Sequence, residues 1–139
     1  DPRDGKMKDV LNEKIKHRES FRPFAPSILK EFESEYFDLD VPSPYMLLVA
    51  KVKKPNLIPA VTHVDGTGRL QTVTRDSNTL YYDLISEFHK ITGVPVVINT
   101  SMNVKGEPIV NTPSQAYAML TKTDMDYLVL NNFLISKNS

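Results

Sequence analysis

Three closely spaced cations near the amino end of the chain could bind an anion together. Lys16, Arg18 and Arg22 lie two and four residues apart in the basic segment of the sequence. A helix would align Lys14, Arg18 and Arg22 in one row, whereas an extended strand would place Lys16 beside the two arginines. Pro23 favours the strand, because the residue before a proline is driven out of the helical region. We therefore predict an extended chain from about Lys16 onward.

The chemistry of such a strand depends on what neutralises it. Three positive charges on one face repel one another, so a multivalent anion between them would be stabilising. A guanidinium group contacts two phosphate oxygens at once, and an ammonium group adds a compact charge. The pattern predicts a phosphate or polyphosphate site. The alternative is a solvated basic strand with Glu19 as its ion-pair partner, and the spacing alone leaves both interpretations open.

A second polar set follows an apolar segment near residue 98. Val94 to Ile98 is apolar, and Asn99, Ser101 and Asn103 come directly after it. Open α/β sheets bind ligands at the carboxyl ends of their strands, and alternate residues of an extended chain point to one side. Hydroxyl and amide groups can bind a phosphate or carbonyl oxygen without adding charge. The alternative is turn formation, because Asn and Ser also bend loops by bonding their own backbone.

The first half of the chain contains helical and strand patterns. Apolar residues at three- and four-residue spacing predict two short helices. The continuous apolar run of residues 45–50 predicts a strand that is covered on both faces. An Asp-Gly turn lies between residues 59–64 and 69–74, which predicts a β-hairpin. The first helix runs from Met7 to Ile15, and the second carries Ile28, Leu29, Phe32 and Tyr36.

The second half predicts two helices and three further strands. One helix has Leu80, Leu84, Ile85 and Phe88 on a single face, Tyr81 and Tyr82 in its packing, and Gly93 as its cap. The other begins at Thr112 as N-cap with Pro113 in its first turn. The strands cover residues 95–98, 127–130 and 133–135. Helices interleaved with apolar strands predict an α/β sandwich, and the hairpin predicts that its sheet is mixed.

Composition narrows the class of protein. The chain has 139 residues, 40% of them apolar and 24% charged, with 17 basic and 17 acidic side chains and no cysteine. We predict one globular domain over residues 1–139, without disulfides or thiolate metal sites. A formal net charge of zero argues against an extended nucleic-acid surface, and no apolar run is long enough to span a membrane. We expect a cytoplasmic protein.

The common sequence motifs for phosphate and metal binding are absent. There is neither a P-loop nor a Gly-x-Gly-x-x-Gly fingerprint, so phosphate binding would depend on side chains. His63 and Asp65 offer only two potential ligands, and we expect no metal site. The sequence begins Asp1-Pro2-Arg3-Asp4 without an initiator Met, which leads us to expect a piece of a longer protein.

Several motifs occur in order along the whole chain and resemble one family. The sequence is similar to the C-terminal domain of the nodulation- and antibiotic-type O-carbamoyltransferases. The motifs that carry the resemblance are Asp1-Pro2-Arg3-Asp4, Lys16-x-Arg18-Glu19-x-x-Arg22-Pro23-Phe24-Ala25-Pro26-Ser27, Tyr36-Phe37-Asp38, the stretch Ala60 to Val73 containing His63-Val64-Asp65-Gly66-Thr67, Asn99-Thr100-Ser101-x-Asn103 and Gly106-Glu107-Pro108-Ile109-Val110.

The resemblance implies a fold and an activity. The expected fold is a YrdC-like three-layer α/β sandwich with a twisted mixed sheet. Such domains bind carbamoyl phosphate and ATP, with Mg²⁺ accompanying the ATP, and form carbamoyl-adenylate with release of pyrophosphate. A separate N-terminal domain of the same polypeptide, which carries an iron site, then transfers the carbamoyl group to a hydroxyl of a sugar or antibiotic.

The family motifs also imply roles for individual residues. Lys16 and Arg18 match a Lys-x-Arg element that holds phosphate groups, and Arg22 matches a ligand of carbamoyl phosphate. Ser101 and Asn103 match a Ser-x-Asn element. By the same resemblance, Lys16, Arg22 and Ser101 are the expected catalytic residues. The expected substrate- and nucleotide-binding residues are Arg18, Arg69, Arg75, Asn99 and Asn103.

One departure from the family pattern limits the expected activity. Family members carry Gly-Pro-Arg-Ala-Leu-Gly-Asn-Arg-Ser just before Asp-Pro-Arg, and the sequence lacks this stretch and its site arginine. We therefore expect substrate binding but incomplete turnover. Two other roles fit the same fold: a non-catalytic nucleotide- or RNA-binding module, and a fragment that buries the apolar face of a partner domain. The neutral charge favours the enzymatic role.

Overall fold

A computed structural model describes residues 1–137 and has the predicted α/β class. Its chain forms two compact units. The first contains residues 1–8 and 23–100, and the second contains residues 9–22 and the chain from Ser101 onward. The single domain over residues 1–139 stays a prediction, and its last two residues lie outside the described chain. None of the helices within residues 1–137 has the length and apolarity needed to cross a membrane.

The first unit contains a three-stranded mixed sheet with β1 (Ala25–Leu29) in its centre. Strand β5 (Gln71–Val73) pairs with β1 in parallel, and β6 (Val96–Asn99) pairs with β1 antiparallel. All five residues of β1 are buried, as expected for the central strand of a covered sheet. The prediction of a mixed sheet is confirmed.

A second, antiparallel sheet of this unit is formed by three short strands. Its order is β2 (Phe37–Asp38), β3 (Val49–Val52) and β4 (Thr67–Arg69). A 3₁₀ turn (Lys30–Phe32) and the one-turn helix α2 (Glu33–Tyr36) connect β1 to this sheet, and another 3₁₀ turn (Pro59–Val61) follows β3. Gly68 lies where a Cβ atom would come within 3.2 Å of Phe37 and 3.3 Å of the Val61 carbonyl oxygen.

Three predictions for this half of the chain are wrong. Ile28 and Leu29 belong to β1 rather than to a helix, because the buried central strand overrides their helical spacing. The strand predicted at residues 45–50 begins only at Val49, and its residues alternate between exposed and buried. The predicted hairpin does not form, since β4 pairs with β3 and β5 pairs with β1.

Helix α3 (Thr79–Thr92) is confirmed, with Asn78 as its N-cap and Gly93 ending it at a φ of 75°. Glycine adopts such a positive φ without the strain that a Cβ atom would add. The predicted apolar face is wrong: Ile85 packs against Leu29 and Val73, but Leu80 is 83% exposed. Tyr81 and Tyr82 pack on this core, as expected, while Leu84 is also exposed.

The second unit is built from helices and one hairpin. Helix α1 (Met7–Val10), whose first two residues belong to the first unit, continues into a π-helix (Leu11–Lys16), which confirms the first predicted helix. Helix α4 (Pro113–Lys122) begins at Thr112 with a complete capping box formed with Gln115. Strands β7 (Tyr127–Leu130) and β8 (Phe133–Ser136) pair as an antiparallel hairpin, and Leu128 packs against Ala116 and Leu120 of α4.

Candidate functional site

The basic segment leaves the π-helix through a sharp reversal rather than a strand. His17 has a left-handed backbone, with φ 50° and ψ 50°, directly after Lys16 ends the helix. The backbone N–H groups of His17 and Arg18 both donate to the Asn12 carbonyl oxygen, the latter at 3.0 Å. The predicted strand from Lys16 is therefore wrong, because these bonds to the last helical turn hold the chain in a turn.

The Lys16 side chain brings one cation of the basic segment together with Ser101 and Asn103 of the second polar set. Its ammonium group donates to the carbonyl oxygen of Ser101, to the carbonyl oxygen of Asn103 at 2.9 Å and to Asn103 Oδ1 at 2.8 Å. Ser101 Oγ is 3.3 Å from the same nitrogen and donates to Asn103 Oδ1 at 2.6 Å. We call these three residues the Lys16 cluster. They join segments that are 85 residues apart in sequence.

Further bonds fix the loop that carries Ser101 and Asn103. Asn103 Nδ2 donates to the Glu107 carbonyl oxygen at 2.9 Å, and the Lys105 backbone N–H donates to the Lys16 carbonyl oxygen at 3.0 Å. The loop is therefore tied to Lys16 by both its side chain and its main chain. This arrangement holds a hydroxyl and an amide beside one positive charge, which are groups that bind phosphate oxygens.

Burial changes the titration of this ammonium group. Lys16 is only 2% exposed. Removal from water, and secondarily repulsion by Arg18, lowers the pKa of Lys16 from 10.5 to about 8. The side chain is therefore still mainly protonated at neutral pH. The oxygen atoms that surround this charge are themselves uncharged. They belong to the carbonyl, hydroxyl and amide groups of Ser101 and Asn103.

Arg18 is held by a residue that the sequence reasoning missed. Its Nε donates to Asn12 Oδ1 at 2.7 Å, and Asn12 is completely buried. Burial, followed by repulsion from Arg22, lowers the pKa of the Arg18 guanidinium. The signal in the sequence is the residue type, because Asn is unfavourable inside helices unless its side chain has a specific partner.

Arg22 and Lys105 share one carboxylate. Glu19 Oε2 lies 3.1 Å from Arg22 Nε, and Glu19 Oε1 accepts from Lys105 Nζ at 2.6 Å. The hydrogen bond from Lys105 is the main reason that the pKa of Glu19 is lowered to about 2. The Arg22 side chain is 49% exposed. Arg22 thus has an acidic partner, as in the alternative interpretation of the basic segment, and an incoming anion would compete with Glu19 for it.

The other predicted site residues belong to the first unit. Asn99 Nδ2 donates to Ser27 Oγ at 3.0 Å and to Gln71 Oε1 at 2.7 Å, across the mixed sheet. Arg69 is exposed at the end of β4. Arg75 pairs with Asp83 and lies 5.3 Å from the centre of the Tyr82 ring.

A cavity of about 340 Å³ lies within the second unit. It is bordered by His17 and Val104, which follow Lys16 and Asn103 in sequence, and by Glu107, Met119 and Lys122. This volume is in the range of small-ligand pockets. Within residues 1–137, no group of three or more His, Asp or Glu side chains is arranged to hold a metal ion.

Comparison with known proteins gives one consistent result. The model of the carbamoyltransferase C-terminus family matches residues 1–137. Nodulation protein NolO of Bradyrhizobium diazoefficiens is 47% identical over 142 residues, which cover 99% of this chain and 26% of the relative. Nodulation protein NolNO of Sinorhizobium fredii is 46% identical over 144 residues, covering 100% of this chain and 21% of the relative.

An uncharacterized protein of Synechocystis shows the same relationship. It is 48% identical over 161 residues, covering 100% of this chain and 26% of the relative. The chain therefore spans about a quarter of the length of the curated relatives it matches.

Proposed function

The chain belongs to the carbamoyltransferase C-terminus family, and on this premise we propose that it serves an O-carbamoyltransferase by binding carbamoyl phosphate and ATP and forming carbamoyl-adenylate. The observation that carries the proposal is the Lys16 cluster. One buried cation is bonded to Ser101 and Asn103, and Arg18 and Arg22 lie two and six residues after it in the sequence.

In the proposed reaction, water first cleaves carbamoyl phosphate into carbamate and inorganic phosphate, and a carbamate oxygen then forms a bond to the α-phosphorus of ATP. The bond between the α- and β-phosphates breaks, and pyrophosphate leaves. Overall, carbamoyl phosphate, ATP and one water give carbamoyl-adenylate, pyrophosphate and inorganic phosphate. Negative charge develops on phosphoryl oxygens during this exchange, so fixed cations and hydrogen-bond donors stabilise the transition state.

Each of the predicted site residues has a proposed part. Lys16 supplies positive charge and holds the Ser101 loop. Ser101 exchanges its bond to Asn103 Oδ1 for one to a phosphate oxygen, and Asn103 offers the second hydrogen of Nδ2, the first being donated to the Glu107 carbonyl oxygen. Arg18 binds the nucleotide phosphates, and Arg22 leaves Glu19 to bind carbamoyl phosphate, for which its planar guanidinium is suited. Mg²⁺ enters with ATP as part of the substrate. Asn99, Arg69 and Arg75 remain proposed contacts to substrate.

The proposed partner is the N-terminal domain of the same polypeptide. The relatives are about four times as long as the matched region, which leaves room for a separate domain that transfers the carbamoyl group to an acceptor hydroxyl. The iron site belongs to that proposed domain. Tyr127 and Val129 on the outer face of the β7–β8 hairpin are more than 60% exposed, which supports contact with another domain.

The test is ATP–pyrophosphate exchange that depends on carbamoyl phosphate, measured with the upstream region restored. Arg22→Ala and Ser101→Ala should each reduce the exchange rate at least about tenfold, because each removes a group that contacts the reacting phosphates. Lys90→Ala and Ser114→Ala are matched controls on exposed helical positions and should leave the rate unchanged. Unchanged exchange in both site variants would contradict the assignment.

Calorimetric titration of the chain itself tests binding without turnover. We expect a measurable heat with carbamoyl phosphate in the millimolar range. Absence of heat would leave only a structural role for the domain. Tighter binding of a short RNA than of carbamoyl phosphate would favour the RNA-binding alternative over the enzymatic one.

A further inference from the structure

Asn12 uses every polar atom of its side chain to organise the basic segment. Its Nδ2 donates to the carbonyl oxygens of Ser20 at 3.2 Å and Arg22 at 2.9 Å, and its Oδ1 accepts from Arg18 Nε at 2.7 Å. Its own carbonyl oxygen accepts from the Arg18 backbone N–H at 3.0 Å. A single fully buried residue therefore fixes both the path of the segment and one side of the Arg18 guanidinium.

Only an amide fits these contacts. The two carbonyl oxygens require donors, and the guanidinium requires an acceptor, so the residue must do both at once. A carboxylate would accept from Arg18 but could not donate to the carbonyl oxygens, and it would neutralise the positive charge. A hydroxyl group is too short to reach both sides. The neutral amide orders Arg18 without adding a negative charge beside it.

We propose that Asn12 is a positioning residue for phosphate binding: it orders Arg18 and the segment up to Arg22 without cancelling their charge. The inference rests on the proposed function, since it takes the phosphate groups of the substrates as the ligand. Asn12 itself is buried and acts through Arg18 rather than by contact with substrate. Its removal should therefore weaken binding more when Arg18 is present than when Arg18 is replaced.

A double-mutant cycle tests this dependence. Affinity for carbamoyl phosphate and for pyrophosphate is measured by calorimetry on the chain, on Asn12→Ser, on Arg18→Gln and on the double variant. We expect Asn12→Ser to weaken binding about tenfold when Arg18 is present and threefold or less when it is replaced. Thermal unfolding confirms that each variant is folded at the assay temperature, and Asn56→Ser is the exposed matched control.

Asn12→Asp gives a second, independent measurement in case the serine variant does not fold. It keeps the acceptor for Arg18 but introduces a negative charge, and we expect it to weaken binding at least as much as serine does. Affinity equal to that of the unmodified chain would overturn the requirement for a neutral amide.

The two ligands separate the inference from the proposed function. Carbamoyl phosphate binding with the expected coupling supports both. Carbamoyl phosphate binding with equal losses in both Arg18 backgrounds overturns the role of Asn12 and leaves the proposed function standing. Coupled binding of pyrophosphate alone supports the role of Asn12 and overturns the proposed use of carbamoyl phosphate. Failure of both ligands to bind overturns both.

Discussion

Anion binding at the Lys16 cluster is predicted to weaken as pH rises above 8, well before an ordinary lysine loses its proton. Burial and the neighbouring Arg18 lower the pKa of Lys16 to about 8 from 10.5. A phosphate ligand attracts the protonated form, and the neutral amine gives it no opposite charge. The perturbation is therefore a change of pH alone, applied to the unmodified chain.

The size of the effect follows from this pKa. Roughly 90% of the side chain is protonated at pH 7 and only about 3% at pH 9.5, so the affinity should fall about 30-fold over that range. A lysine with a pKa of 10.5 would lose only about a tenth of its protonated form over the same range. The second ionisation of a phosphate group has a pKa of about 6, so the charge of the ligand changes little between pH 7 and 9.5.

Calorimetric titration with fresh carbamoyl phosphate at several pH values between 7 and 9.5 measures the effect. Lys16→Met removes the titrating group at similar side-chain length, and its weaker binding should be nearly independent of pH. Lys90→Met is the matched control at an exposed position and should follow the unmodified chain. Constant affinity of the unmodified chain up to pH 9.5 would refute the reasoning that a buried, charged Lys16 acts on the anion.

Four further predictions concern stability and charge. First, the unfolded chain keeps the Lys16 proton to higher pH than the folded chain does. The free energy of unfolding of the unmodified chain should therefore rise between pH 8 and 10.5, relative to that of Lys16→Met, by up to about 3 kcal/mol in urea titrations. A difference between the two chains that does not change with pH would contradict this prediction. Second, Gly68→Ala should destabilise the chain by about 1–3 kcal/mol, because its Cβ would crowd Phe37 and the Val61 carbonyl, whereas Gly5→Ala, with its nearest neighbour at 3.7 Å, should have a smaller effect; equal urea midpoints would show that the site relaxes. Third, Thr112→Ala should cost about 1 kcal/mol by removing the cap of α4, and Thr112→Ser should restore most of it; a loss that serine does not restore would rule out the capping bond as its cause. Fourth, Glu19→Gln should tighten carbamoyl phosphate binding up to about fivefold in calorimetry, since Arg22 and Lys105 lose a competing carboxylate; weaker binding would mean that Glu19 orients the cations rather than competing for them.

Local signals in the sequence predicted the elements whose ends are set by short-range chemistry. Thr112 and Pro113 start α4, and Gly93 ends α3, because caps and left-handed residues act within one helical turn. Ile28 and Leu29 were assigned to a helix by their spacing, but their strand depends on pairing with residues 71–73 and 96–99, which lie far away in sequence. Such long-range pairing has no local signature.

In the candidate site, too, the residue types were predictable from the sequence and their arrangement in space was not. The residue types of Lys16, Ser101 and Asn103 predicted groups that bind phosphate, and the structure brings these three together. The geometry that joins them was not predictable, since it depends on the π-helix and on the turn after Lys16 rather than on a strand. Asn12 was missed because one Asn in a helical pattern does not identify its partners, and two of its three side-chain bonds go to main-chain oxygens.

The reversal of the chain at His17 gives the two neighbouring cations, Lys16 and Arg18, separate anchors. In a pleated chain, residues 16 and 18 would project in the same direction and would compete for one counter-ion. Because His17 between them is left-handed, the two side chains have different partners. Oxygens of Ser101 and Asn103 bind the ammonium of Lys16, and Asn12 binds Nε of Arg18. Both anchors are uncharged, and the segment is ordered in advance while its electrostatic attraction for an anion is preserved.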